Sequence, residues 1–250
     1  MEAYTDFASV YDTFMDETPY VKWCDFIVHI MEEYQIPKGL VLDLGCGTGT
    51  LTQLLSEQGY DMIGIDNSEQ MLSVAREKNE ISQEQILYLQ QDMREFELYG
   101  TVQAVISVCD SLNYLLEEED LRKTFCLVNN YLDPKGLFLF DFNTVYKYRD
   151  VIGDTTIAEN REECSFIWEN YYHEEEEINE YDLTIFVKEE GEHFRRFYEN
   201  HFQRGYQLSQ MKKALEEAGM EFVKAIDADT HGEVTEVSER IYCIARECGK

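Results

Sequence analysis

The chain is 250 residues long, enough for one large domain with a sizeable insertion and short for two full domains. Fifty-one acidic side chains against 21 basic ones give a net charge of −30, a potential that repels nucleic-acid phosphates and anionic lipid heads, so neither DNA nor a membrane is an expected partner. Seven cysteines with no CxxC pair, no basic-then-apolar leader and no uncharged run long enough to cross a bilayer lead to an expectation of reduced thiols and a cytoplasmic protein.

In chain order, apolar residues at Phe7, Val10, Tyr11 and Phe14, then at Trp23, Phe26, Ile27 and Ile30, recur at helical spacing and predict two short helices broken near Pro19. The period then changes to that of a strand in LVLDLG and back to helical at Leu51, Leu54 and Leu55, with Gly59 placed to end the helix. The unit repeats: a strand over 61–65, a helix from Ser68 carrying Met71, Leu72 and Ala75, and a short strand over 86–90. A strand over 102–108 follows, then a helix with Leu121, Phe125, Val128 and Leu132, and a turn at Asp133-Pro134-Lys135-Gly136 into the strand LFLFDF. Alternating strands and helices predict a parallel α/β sheet covered on both faces.

Over 143–204 the texture becomes strand-like runs (CSFIWENYY, EYDLTIFV, HFRRFYENHFQ), which predict an antiparallel insertion. Glu174 to Glu177 reads as a solvated hairpin turn more readily than as a metal site, since adjacent side chains of an extended run point to opposite faces. The βα pattern resumes with Ser209 as the expected N-cap of a helix carrying Met211, Ala214, Leu215 and Ala218, ended by Gly219. Strands over 222–226 and 241–245 complete the chain. The organisation is thus a helical cap over 1–38, a core over 39–142 and 205–250, and the insertion over 143–204.

The first strand runs into Gly45-Cys46-Gly47-Thr48-Gly49. Glycines where a strand turns into a helix permit backbone angles denied to other residues and let a ligand lie on the main chain. The dinucleotide fingerprint G-x-G-x-x-G would require glycine at position 50, where the chain has Thr50. The frame is D-x-G-x-G-x-G, and its leading Asp43 would repel a pyrophosphate but suits an ammonium or sulfonium cation. Asp66, closing the second strand about twenty residues on, is placed to take two ribose hydroxyls. Asp92, after the third strand, is placed to accept from an adenine amine, with Met71 or Met93 against the ring faces.

These elements, VLDLGCGTG, GIDNSEQML, QQDM and SVCDSLNYL in this order and spacing, resemble the class I S-adenosylmethionine-dependent methyltransferases, and within them the bacterial small-molecule type with a methyltransferase-25-like core. The resemblance implies a Rossmann-like seven-stranded sheet with its last strand antiparallel, and S-adenosyl-L-methionine as cofactor. It also implies that Gly45 and Gly47 border the methionine part, Asp66 holds the ribose, Asp92 and Met93 meet the adenine edge, and Cys109 lies under the sulfonium. Cys46 and Asn67 join the expected cofactor-binding set. Tyr11 and Trp23 are candidates for capping the carboxylate end of the cofactor, and their helical spacing suits core packing equally.

Methyl transfer is an in-line displacement in which the protein aligns the acceptor, excludes water and, for a weak nucleophile, removes a proton. Enzymes of the superfamily that methylate nucleobase or amide nitrogens resemble one another in an Asp- or Asn-Pro-Pro-Tyr signature after the fourth strand, where this chain has Cys109-Asp110-Ser111-Leu112-Asn113-Tyr114. A small-molecule methyl acceptor is therefore expected: an amine, hydroxyl or carboxylate compound. The candidates on its side are Asn143, Tyr171, Tyr172, His201 and Arg204. His201 is either a base or a packed histidine, and Arg204 pairs either with an acceptor carboxylate or with a surface acid. The aromatic insertion suits a lid over the acceptor or a homodimer interface. A non-catalytic S-adenosylmethionine-binding regulator and a protein or tRNA methyltransferase are the alternative readings.

Overall fold

The computed structural model describes residues 8–82, 84–189, 191 and 193–250; Phe7, the first residue expected in the leading helix, lies outside them. The two N-terminal helices are α1 (Ala8–Phe14) and α2 (Tyr20–Glu33), separated at Pro19. The alternating core follows as β1 (Leu40–Leu44), α3 (Thr50–Glu57), β2 (Asp61–Asp66), α4 (Glu69–Ser82), β3 (Leu87–Gln90) and β4 (Val102–Ser107). A 3₁₀ turn at Ser111–Tyr114 leads into α5 (Glu118–Tyr131) and β5 (Leu132–Asn143). Next come a π-helical turn at Lys147–Ile152 and the strands β6 (Thr156–Asn160), β7 (Cys164–His173), β8 (Ile178–Lys188) and β9 (Phe194–Arg204). The chain closes with α6 (Leu208–Glu217), β10 (Met220–Asp227) and β11 (Arg240–Glu247).

The main sheet has seven strands in the order β10-β11-β5-β4-β1-β2-β3. β1 runs parallel to β2 and β4, β2 to β3 and β4 to β5, while β11 is antiparallel to both β5 and β10. Both faces are covered, which is why the central strands read as continuous apolar runs. Ile27, Ile30 and Met31 of α2, Leu51 and Leu55 of α3, and Leu72 and Ala75 of α4 pack on one face. Leu121, Phe125 and Val128 of α5 with Met211 and Leu215 of α6 pack on the other. The chain proceeds outward from β1 through β2 to β3, then returns to place β4 on the other side of β1. The resulting switch point, at the carboxyl ends of β1 and β4, is where an open α/β sheet leaves a crevice.

Two local expectations are corrected. The expected turn at Asp133-Pro134-Lys135-Gly136 is absorbed into β5 as a bulge: Val102 pairs with Leu132 but Ala104 with Leu137, and Lys135 takes φ +67° to accommodate the extra residues. Ser209 lies inside α6, whose N-cap is Gln207, with its backbone N–H donating to the Gln210 side chain.

The insertion forms its own antiparallel sheet, β6-β7-β8-β9, with residues 174–177 as the hairpin turn between β7 and β8. Its inner face carries Cys164, Phe166, Trp168, Leu183 and Ile185 and packs against Val10 and Phe14 of α1, the Phe14 and Phe166 rings meeting edge to face at 4.9 Å. The other anchor is Asn113 in the 3₁₀ turn, which is fully buried. Its amide donates to the carbonyls of Asn143 (2.9 Å) and Arg204 (2.6 Å) and accepts from the Asn143 N–H (2.9 Å), stitching the ends of β5 and β9 to the turn after β4.

Candidate active site

Two cavities meet at the switch point. The first, about 220 Å³, is lined by the glycine loop, the ends of β1 and β2, the start of α4, residues 91–94 and the turn after β4. The loop is tied across to β2 by Gly45 and Cys46, whose N–H groups donate to the Ile65 carbonyl (2.8 and 3.0 Å). Gly45 takes φ +84°, and a Cβ there would stand 2.6 Å from the Ser111 side chain. Gly47 takes φ +55° and would meet nothing within 4 Å, so its bare backbone faces open space.

The expected acids converge on this cavity, in distinct states. Asp66 accepts from the N–H of Gly47 through one oxygen and of Ser68 through the other, both at 2.8 Å, while burial pushes its pKa up against those bonds. Asp43 is buried beneath the loop and accepts from the Thr52 hydroxyl at 2.6 Å. Burial raises its pKa to about 7, with the Thr52 bond opposing and Asp66 adding to the rise. Asp92 reaches the wall as half of an ion pair: the Arg94 Nε lies 2.9 Å from one oxygen, Nη2 2.5 Å from the other, and this clasp holds the carboxyl below the usual range. The sequence expectation of a lone acceptor at Asp92 had no place for Arg94.

Cys46, Asn67, Met71, Met93, Cys109 and Tyr11 also line the first cavity. Trp23 does not. It lines the second cavity, and Tyr20, one helical turn earlier on α2, is the aromatic that reaches the first. Asp12 fastens α1 over the loop by accepting from Thr48 (2.6 Å) and pairing with Lys78.

The second cavity, about 430 Å³, shares Tyr11 and Cys109 with the first. Phe14, Trp23, Phe166, Trp168 and Tyr181 supply its aromatic wall. Asp110, Asn143, Lys147, His201, Gln203 and Arg240 supply polar groups. Cys109 and Asp110 are consecutive non-glycine residues at φ +63° and +53°, a conformation costing roughly 1–3 kcal/mol each and concentrated at functional sites. Asp141, fully buried, holds the pair by accepting both N–H groups (3.0 and 2.8 Å). The strained turn sets the Asp110 carboxylate 2.6 Å from Arg240 Nη2 and 2.7 Å from Gln203 Nε2. Asn143 accepts from Lys147 Nζ (3.1 Å) and Arg240 Nε (3.2 Å) and donates to the Tyr148 hydroxyl (3.0 Å). Burial, with Arg240 alongside, lowers the Lys147 pKa. Burial also pushes the Cys109 thiol up to about 12, which removes it as a base at neutral pH.

Of the five acceptor-side candidates, Asn143 and His201 line the second cavity; Tyr171, Tyr172 and Arg204 do not. Tyr171 lies on the outer face of β7 and is 44 % exposed, because the strand alternation turns Cys164, Phe166, Trp168 and Asn170 inward and Tyr171 out. Arg204 donates to the Leu116 carbonyl (2.9 Å) with Glu118 and Glu177 within 4 Å, a clamp between the insertion and the segment before α5. Arg240, which with Lys147 supplies the basic groups of the second cavity, was missed by sequence reasoning; its one trace was a basic residue opening the buried run IYCIA. Tyr20, Tyr114, Lys147 and Gln203 were missed as well. Tyr114 stands in the SVCDSLNYL element without having been singled out, and the other three stand in no motif.

A cationic nucleoside fits the first cavity: Gly47 offers bare backbone, Asp66 is held in place by main-chain donors, and the methionines give apolar surface. The family described as Methyltransferase domain matches residues 41–136. A Bacillus subtilis (strain 168) protein, YqeM, named as a methyltransferase, is 39% identical over 98% of this chain and 97% of its own. The crystal structure of an S-adenosylmethionine-dependent methyltransferase from Clostridium acetobutylicum superposes with a TM-score of 0.90 at 29% identity, covering 99% of this chain and 100% of the other. An N,N-dimethyltransferase of Streptomyces venezuelae, named for dTDP-3-amino-3,4,6-trideoxy-alpha-D-glucopyranose, is 30% identical over 54% of this chain and 56% of its own.

Proposed function

The chain belongs to the class I S-adenosylmethionine-dependent methyltransferases, and we propose that it methylates a small, amine-bearing molecule held in the second cavity. S-adenosylmethionine, when bound, supplies a methyl group activated by positive sulfur. In this reading the backbone at Gly45 and Gly47 borders its amino-acid part, Asp66 takes the ribose hydroxyls, and Met71 and Met93 lie against the adenine.

The observation that carries the reading is the second cavity itself. Its size suits a small ligand, it shares Tyr11 and Cys109 with the first cavity, and side chains of the insertion's inner face line it. Its wall sets the carboxylates of Asp110 and Glu159 beside the cations of Lys147 and Arg240, a mixed lining able to hold an amine-bearing molecule. The partial relative from Streptomyces venezuelae, named for an amino sugar, supports the same choice. The chain's residues align the acceptor and exclude water, so that its lone pair attacks in line. A second cavity beside the first also speaks against a cofactor-binding regulator, which needs none.

Methyl-labelled cofactor offered to small amines (glycine, sarcosine, amino-sugar nucleotides), to whole tRNA and to cell protein tests the reading. Label recovered on an amine supports it; label passing only to tRNA or protein contradicts it. Seven cysteines without a disulfide fit a reducing compartment such as the cytoplasm. The outer face of the insertion, where Ile167, Tyr171, Tyr198 and Phe202 are exposed, suits a homodimer contact, which light scattering would report.

A further inference from the structure

An amine is largely an ammonium ion at neutral pH and has no lone pair until it loses a proton. Resting on the amine reading above, we propose that Tyr114, Tyr181, His201 and Glu199 form a proton relay that deprotonates the acceptor at the junction of the two cavities. Tyr114 lines the first cavity, and Tyr181 and His201 line the second, so the group spans the boundary the methyl group crosses. The Tyr114 and Tyr181 hydroxyls are 2.7 Å apart, the Tyr114 hydroxyl is 3.1 Å from His201 Nδ1, and His201 Nε2 is 3.0 Å from Glu199 Oε2. His201 and Glu199 are both buried, and the imidazole stacks on the Tyr181 ring at 4.8 Å and 9°.

The chemistry of the partners gives the chain a direction. An ionised Glu199 only accepts, so Nε2 carries the hydrogen and Nδ1 is left to accept from Tyr114, whose oxygen receives the Tyr181 proton. A proton leaves the acceptor nitrogen for the Tyr181 oxygen, the Tyr181 hydroxyl proton moves to the Tyr114 oxygen, and the Tyr114 hydroxyl proton passes to Nδ1. His201 becomes an imidazolium beside Glu199, both tyrosines stay neutral, and the electron pair freed on nitrogen is the nucleophile. A buried carboxylate that fixes the tautomer and stabilises the resulting cation does for this histidine what the acid of a Ser-His-Asp triad does. The other charged groups of that cavity are committed elsewhere: Asp110 to Arg240 and Gln203, and Lys147 to Asn143. Glu159 pairs with Arg161.

The wiring is tested without any acceptor, by ¹⁵N-histidine NMR of the full chain, with the His201 signal identified by its loss in His201→Gln. The relay requires the Nε2–H tautomer, one reversible protonation as the pH falls, and a shift of that step to lower pH in Glu199→Gln, where the stabilising charge is gone. An Nδ1–H tautomer, or a protonation step that Glu199→Gln leaves in place, overturns it. With an amine acceptor found by label transfer, Tyr114→Phe and His201→Gln should lose roughly 10²–10³-fold in kcat at pH 7 with KM little changed. Raising the pH toward the amine's own pKa should restore most of that loss. A loss equal at every pH overturns the relay while leaving the acceptor class intact.

Discussion

The two cavities share a wall and are built by opposite means. The first takes most of its surface from one stretch, residues 43–94, where the contributing side chains stand at strand ends, in the turns behind them or in the first turn of the helix that follows. The second is assembled from α1, α2, the turn after β4, the end of β5, the π-helical turn, the four strands of the insertion and the start of β11. A site made of backbone and strand ends is fixed once the sheet forms. A site made of side chains from ten segments depends on how the insertion docks, and that is where, in the proposed reading, acceptor choice varies without disturbing the cofactor.

The sharpest way to break this contrast is through the glycine loop. Gly45→Val combines φ +84° with a Cβ 2.6 Å from Ser111, and should cost about 3–5 kcal/mol of stability by thermal unfolding. Gly47→Ala, at φ +55° with open space around it, should cost only about 1 kcal/mol yet still weaken cofactor binding, because its methyl enters the cradle. Equal effects on stability would mean that the loop is scaffold and not cradle.

Asp43 offers the next largest effect. Its pKa stands near 7 in the folded chain against about 3.9 unfolded, so between those values the folded state binds more protons and stability falls as pH rises. The loss should be on the order of 2 kcal/mol between pH 5 and pH 8, and Asp43→Asn should remove most of that slope in a melting series. An unchanged slope would place the titration elsewhere.

How much of this was legible follows the same division. Asp43, Asp66 and the glycines could be read because strand period and turn chemistry place them within one βαβ unit. The second cavity resisted for physical reasons. Helical spacing does not say which turn of α2 faces which cavity, so Trp23 was expected where Tyr20 stands. Strand alternation without a known register does not say whether Tyr171 or its neighbours point inward. Arg204 and Arg240 both follow or open apolar runs, and only the antiparallel pairing of β11 with β5 brings Arg240 beside Asn143 and Asp141. The bulge in β5 hides in a stretch whose residues signal an ordinary turn.

Asp110→Asn addresses the second cavity alone. It weakens the hold on Arg240 and removes a charge facing the acceptor, so kcat/KM for an amine should fall about tenfold, near 1.4 kcal/mol, with cofactor affinity unchanged within twofold. Steady-state kinetics beside calorimetry would show whether the two cavities separate in this way. Tyr171→Ser, on the exposed face of the insertion, should change turnover by less than twofold and stability by less than about 0.5 kcal/mol. A large loss there would return Tyr171 to the site.

Isothermal titration of S-adenosylhomocysteine into the wild-type chain and into Asp66→Ala tests the central claim, that the bare-backbone bend and its anchored carboxylate seat the adenosyl cofactor. Binding by the wild type that weakens by roughly 100-fold or more in the variant is the predicted result, since a buried, charge-assisted contact to both ribose hydroxyls is lost. Undiminished affinity in Asp66→Ala, or tight binding of NAD with no response to S-adenosylhomocysteine, would contradict it.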